Sequence, residues 1–371
     1  RSLAPDLARG GMLLFIALAN SHTFLHHGGE TIRAYPTGGS VLDSIVAAIL
    51  AMFVDGRSYT MFAALFGYGL VQIFRRQQAR GVEWPTPRKL LRRRGRWMIV
   101  FGFLHGVLLF YGDIIAAYGV LAVLFAGAVR WKDRTLAIWA SAFVVVGSVI
   151  YGAVSIPMGD QSTMILSDDN PLSAAAGRAV GMVFVAPFGA LTAAAAFLLG
   201  IWAARQRILE EPERHLPFLR KLAIGGLAVA ALGGLPLALV IAGVVDTNSD
   251  AQVFALGALH SATGYLGGPA WAAVIALLAV RIGSRPTGFV RAVSAVGQRS
   301  MTCYLSQSVV WAVLFPPYLL GLGSRIGVAL TAVIAVCTWL LTVGLAELMR
   351  RRELRGPFEV LLRRLTYRGA R

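Results

Sequence analysis

Apolar residues in this chain run in long unbroken blocks. Ten blocks, at about residues 7–25, 57–75, 97–112, 113–130, 135–157, 179–203, 222–245, 253–281, 300–318 and 326–350, are separated by short polar connections. Most are about 17 to 25 residues long, the length at which an α-helix crosses a hydrocarbon layer of about 30 Å. The ten-residue alternation of a membrane β-barrel strand is absent, and lipid offers no partner to unpaired backbone groups, so the blocks are expected to be helices. The pattern predicts an all-α, polytopic transmembrane bundle of about ten spans. An eleventh apolar block, "VLDSIVAAILAMFV" at 41–54, is short and would upset the parity of crossings. It is expected as a re-entrant or interfacial helix on the outer face, broken from the second span by Asp55-Gly56-Arg57.

Composition agrees with this pattern: 57% of the 371 residues are hydrophobic, 14% are charged and the mean hydropathy is +0.66. A formal charge of +17 could suggest a nucleic-acid partner. The basic residues instead fall between the apolar blocks, at 75–96, 130–134, 204–221, 281–299 and from Arg350 onwards. The intervening connections "MGDQSTMILSDDN" and "DTNSD" are acidic. By the positive-inside rule all the basic connections lie in the cytoplasm, which puts both termini there and leaves nucleic acid without a role. The expected organisation is one membrane domain over 1–350 and a basic amphipathic tail over 351–371, resting on lipid headgroups. Cys303 and Cys337 lie inside apolar blocks without metal-ligand spacing, so neither a disulfide framework nor a metal site is indicated. No P-loop, GxSxG or HExxH pattern is present.

Ionisable groups inside apolar blocks cost kilocalories and are functional candidates. In "GFLHGVLLFYGDIIAAYG", His105 lies nine residues beyond Arg96, about 13 Å from the basic edge at 1.5 Å per residue, with Asp113 at the following turn. On the first span Arg9 and Asn20 are nearly three whole turns apart and share a face, with Asn20 about 16 Å further in. Tyr304 and Gln307 bring polar atoms to the same level from the ninth span. From the outer side come His22, His26, His27, Asp55, Arg57 and His260. Each has an ordinary alternative: a histidine bonding a neighbouring helix, an arginine anchoring a span end. A buried histidine beside a carboxylate suits acyl transfer from a thioester, where a base takes a proton from the attacking group and donors stabilise the oxyanion. It equally suits proton-coupled transport.

Four patches, "PDLARGGMLLFIALAN" (5–20), "GRSYTMFAALFGYGL" (56–70), "GFLHGVLLFYGDIIAAYG" (102–119) and "VGQRSMTCYLSQS" (296–308) with "GPFEVLLRRLTY" (356–367), resemble the YeiB-like family of bacterial inner-membrane proteins, long catalogued as a domain of unknown function. That family more distantly resembles transmembrane acyltransferases, the heparan-α-glucosaminide N-acetyltransferases and the acyltransferase-three group. The spacing of Arg9 and Asn20 matches their signature on the first span. In the heparan enzyme a luminal histidine follows; here the nearest candidates are His26 and His27, at a shorter spacing. Arg57 stands where the family often has Lys, and Cys303 where it commonly has Asn. The resemblance implies an acyl-CoA donor, most simply acetyl-CoA, and an acceptor on the other side of the membrane.

The expected function is therefore a membrane-embedded acyltransferase of the bacterial inner membrane. His105 and Asp113, or His26 and His27, would serve catalysis. Arg9, Asn20, Arg57, Arg93, Arg96 and Gln307 would hold the donor. His22, His260, Asp55 and Tyr304 would hold a sugar, lipid or small-metabolite acceptor. No metal is expected, and a homodimer is compatible with the sequence. The alternative is a small-metabolite or peptide transporter using the same groups.

Overall fold

The computed structural model describes residues 3–26, 31–36, 38–157, 168–247, 249–283 and 285–368. The described chain is helical apart from a small hairpin: α1 Leu3–Ser21, α2 Val41–Phe53, α3 Ser58–Gln78, α4 Thr86–Leu108, α5 Ile115–Leu124, α6 Asp133–Ala153, α7 Pro171–Arg205, α8 Leu216–Lys221, α9 Leu227–Ile241, α10 Asp250–Ile282, α11 Gly288–Gln298, α12 Ser300–Leu314, α13 Val328–Arg351 and α14 Pro357–Tyr367. A π-helical turn, Leu222–Gly226, joins α8 to α9. The hairpin pairs β1 (Thr31–Ile32) antiparallel to β2 (Tyr35–Pro36).

Among the described residues five helical stretches are long and apolar enough to cross a membrane: Asp133–Ala153, Pro171–Arg205, Pro212–Ile241, Asp250–Ile282 and Val328–Arg351. The protein is a multi-pass membrane protein on this ground. The remaining helices predicted to span, among them α1, α3 and α4, carry arginines, a histidine and glutamines that dilute their apolar character. Those are the helices that build the cavities described below. The structure also differs from expectation in length: α7 begins at Pro171, and at 1.5 Å per residue its 35 residues reach about 52 Å, well beyond a hydrocarbon layer. The short helix expected over 41–54 is present as α2, started by a capping box in which Ser40 and Asp43 bond reciprocally. Asp43 also accepts from Ala329 N–H at 2.8 Å, tying α2 to the start of α13.

The basic connections gather at one end of the bundle. Arg75 at the end of α3 pairs with Glu210 at 3.2 Å and donates to the Arg205 carbonyl, while Arg205 pairs with Asp133 at the start of α6. Two hydrophobic cores stack along the bundle. The larger runs through α1, α3, α5 and α7; the smaller, around Phe24, Phe110, Trp311 and Phe315, lies at the opposite end. Helices approach closely where glycines permit: a Cβ on Gly67 would strike the Phe197 carbonyl and one on Gly200 the Ala64 carbonyl, so α3 and α7 pack backbone to backbone.

The tail departs most from expectation. Helix α14 folds back on α4 and α12, burying Leu362 and Thr366. Glu359 accepts from the Met301 and Thr302 N–H groups, at 2.7 and 3.1 Å, and from the Thr302 hydroxyl. Its carboxylate thus satisfies orphan donors at the N-terminus of α12, where the helix dipole favours negative charge.

Candidate functional site

His105 and Asp113 meet. The two lie on either side of the turn from α4 to α5, and His105 Nδ1 stands 2.7 Å from Asp113 Oδ1 with both side chains essentially excluded from solvent. Asp113 Oδ2 accepts from the Ala116 N–H at 2.6 Å, so one carboxylate caps α5 and orients the imidazole. Gly102 makes the arrangement possible, since a Cβ there would collide with Ala116 N and Asp113 Oδ2. With Nδ1–H donating to the carboxylate, the lone pair is on Nε2, which is buried and has no hydrogen-bond partner among the described residues.

Two cavities approach this pair from opposite ends. At the basic end a cavity of about 270 Å³ is lined by Arg9, Arg76, Arg94, Gln298, Glu359 and Tyr304, among others. Toward the opposite end a cavity of about 530 Å³ is lined by Asn20, His22, Arg33, Asp55, Tyr111, Tyr151 and Asp113, among others. Ile114 and Tyr118 line both and form the wall between them. Tyr118 is fixed there by stacking on Phe62 and Phe66 and by donating to the Tyr59 carbonyl at 3.0 Å. His105 links the two sides: it is bonded to Asp113, which lines the larger cavity, and its ring lies 5.1 Å from that of Tyr304, which lines the smaller. His105 itself reaches neither lining.

The other candidates divide. Arg9 and Asn20, expected on one face, line different cavities, because the eleven-residue step from one to the other carries α1 past the wall. Of the arginines at 92–96, Arg94 lines the basic cavity; Arg93 does not, Arg96 is exposed, and Arg92 donates to the Val123 carbonyl. Tyr304 lies in the basic cavity rather than with the outer groups. Gln307 is buried one turn further along α12, with Nε2 unpartnered, and lines neither cavity. His22 and Asp55 line the larger cavity 3.9 Å apart, His22 stacked flat on Tyr35 at 3.8 Å. Tyr35 donates to Asp55 at 2.8 Å. Burial, then the Asp55 charge, push the Tyr35 phenol well above its ordinary range, so it remains a donor.

Arg57 and His260 form a structural knot. Arg57 is fully buried and donates to the carbonyls of Asp55 and Ala230 and to the His260 ring. The same Arg57 Nη1 lies 2.5 Å from His260 Nε2 and 3.1 Å from Nδ1, and Nε2 also meets the Asp55 carbonyl at 3.2 Å. Gly234 leaves room for the Arg57 guanidinium and Gly267 for its methylene stem. Neither Arg57 nor His260 is among the residues that line these two cavities. His26 is buried against the Phe24 carbonyl and the Gly323 loop and is not among the residues that line either cavity. His27 lies outside the described residues. Sequence reading passed over Arg33, Tyr35, Tyr111 and Tyr151, which stand together only through the fold; a lone arginine in a loop and scattered tyrosines carry no periodic signal.

Among the described residues no cluster of His, Cys, Asp and Glu could hold a metal ion. The chain is 26% identical over 356 residues to "Uncharacterized protein YxaH" of Bacillus subtilis (strain 168), covering 88% of this chain and 83% of that protein. It is 30% identical over 125 residues to "Uncharacterized protein YeiB" of Escherichia coli (strain K12), covering 33% of this chain and 30% of that protein. These similarities carry the resemblance to YeiB that the motifs suggested, and residues 203–369 match the family described as "Protein of unknown function (DUF418)".

Proposed function

We propose that this protein is a membrane-embedded acyltransferase that passes an acyl group from acyl-CoA, most simply acetyl-CoA, to an acceptor entering from the extracytoplasmic side. The basic end is the cytoplasmic one on this reading, with about ten crossings. The supporting observation is the placement of the His105–Asp113 pair at the wall between a small arginine-lined cavity and a larger polar one. Guanidinium groups suit the phosphates of coenzyme A. Arg9, Arg76 and Arg94 supply them, and a second basic hollow containing Arg299, Arg355 and Arg363 adjoins at Gln298 and Glu359. The thioester arm would extend toward Tyr304 and the wall. Displacement of Ile114 and Tyr118 would join the cavities. His105 Nε2 then takes the proton of the attacking hydroxyl or amine as the new C–O or C–N bond forms, the C–S bond breaks, and the thiolate leaves with that proton. Asp113 holds Nδ1–H throughout and stabilises the imidazolium.

Two cavities divided by a thin wall also suit a transporter that opens alternately to either side. Coenzyme A binding separates the readings. Calorimetry of purified protein with acetyl-CoA is expected to show saturable binding, weakened at least tenfold in Arg9→Ala and Arg94→Ala and retained in His105→Ala. No binding by protein shown to be folded would overturn the acyltransferase reading in favour of transport.

A further inference from the structure

The larger cavity holds two opposite charges that do not join. Asp55 is more than nine-tenths buried; Oδ2 is taken by Tyr35, while Oδ1 is buried and has no hydrogen-bond partner among the described residues. Arg33 lines the same cavity, and its Nε is likewise buried and unpartnered. The Arg33 guanidinium lies 4.0 Å above the Tyr151 ring, a cation–π contact that fixes its position. Tyr151 is itself stacked on His260. No ion pair joins Arg33 to Asp55 among the described residues.

The backbone shows that Arg33 is held in place at a cost. Arg33 and Ala34, the two turn residues of the hairpin, both have left-handed φ, 56° and 65°. A two-residue hairpin turn of this kind favours Asn-Gly, and a non-glycine residue in the left-handed region is strained by its Cβ. Such strain persists where the surroundings over-determine it and clusters at ligand clamps. Here the Arg33–Tyr151 contact secures the turn itself and the Tyr35–Asp55 bond the strand that follows it.

We propose that the larger cavity binds a small amphoteric molecule of the amino-acid class, its carboxylate on Arg33 and its ammonium on Asp55. The volume of about 530 Å³ and the lining of Tyr59, Tyr111, Tyr151 and Phe188 leave room for an apolar side chain against aromatic rings. Asp113 lines the same cavity, so a bound molecule reaches the His105 pair. This site rests on the acyltransferase reading only in naming the molecule as the acceptor; binding itself needs no donor.

The test uses the full-length protein in lipid nanodiscs, without acyl-CoA. L-Amino acids of graded size are screened by calorimetry, each beside its methyl ester, which lacks the carboxylate, and its deaminated acid, which lacks the ammonium. At least one amino acid is expected to bind, tenfold or more tightly than either analogue. Arg33→Gln should weaken the amino acid at least tenfold and leave the ester unchanged; Asp55→Asn should weaken the amino acid and leave the deaminated acid unchanged. Equal losses for all three ligands in both variants, or no binding by any amino acid to folded wild type, would overturn the site. A parallel acetyl-CoA titration separates the two readings. Acetyl-CoA binding without amino-acid binding removes this proposal and leaves the acyltransferase; the converse keeps the site and removes acyl transfer.

Discussion

Asp113 does two jobs with two oxygens, and substitutions can separate them. Asp113→Asn keeps an oxygen able to cap Ala116 N–H while removing the charge that holds His105 Nδ1–H. Activity should fall by about 10²–10⁴, the usual worth of a positioned base, with little loss of stability. Asp113→Ala should lose the same activity and a further ~1 kcal/mol of stability with the cap. Thermal melts alongside transfer rates would show the split, and equal melting losses in the two variants would deny the capping role. At the same scale, His105→Ala should abolish transfer and leave the protein monodisperse in detergent; a fully active H105A would remove His105 from the chemistry. Depth counted along the helix made the His105–Asp113 pair legible in the sequence. Periodicity does not report which way a loop folds, so Arg33 and Tyr151 were not.

Between elements, the close crossings carry the predictions. Gly102→Ala would drive a methyl group into the α5 backbone and the Asp113 carboxylate at once. It should cost about 1–3 kcal/mol by overpacking and misplace the imidazole pair, so stability and activity fall together. Glu359 offers a second test, because its carboxylate joins α14 to the start of α12. Glu359→Ala removes those bonds and should expose the 352–356 connection to protease without lowering the melting point of the bundle. An unchanged digestion pattern would show that packing of Leu362 alone holds the tail. The sequence foretold α14 as a helix by its amphipathic pattern, yet assigned its apolar face to lipid. An apolar face declares that it will be buried, while its partner depends on which surface the fold brings near; here that is α4. For the same reason α11, inside an expected basic connection, escaped notice: its small residues pack against α1, where a Cβ on Gly297 would meet the Asp6 carbonyl.

For the molecule as a whole, charge asymmetry predicts an orientation. The clustered ends of α3, α6 and α7 bring Arg75 and Arg205 together, and the positive-inside rule predicts that this end faces the cytoplasm. Single cysteines at Arg80 and Asp246, in protein otherwise free of cysteine, should react with a membrane-impermeant maleimide from opposite sides of oriented vesicles. Labelling of both from the same side would overturn the topology. The all-helical class was readable because lipid permits so few backbone arrangements. The span count is harder to read, since a helix that lines a cavity exchanges apolar residues for polar ones and resembles a soluble helix in composition.

The docked tail bears on the order in which the molecule is made. Arg9, Arg76 and Arg94 come from α1, α3 and α4, whereas Glu359 and Leu362, which line the same cavity, are synthesised more than 250 residues after Arg94. A nascent chain that has inserted its membrane helices but not yet emerged as far as Pro357 therefore has an unfinished basic cavity. The part of the cavity lining that Glu359 and Leu362 supply is added only when this late segment emerges.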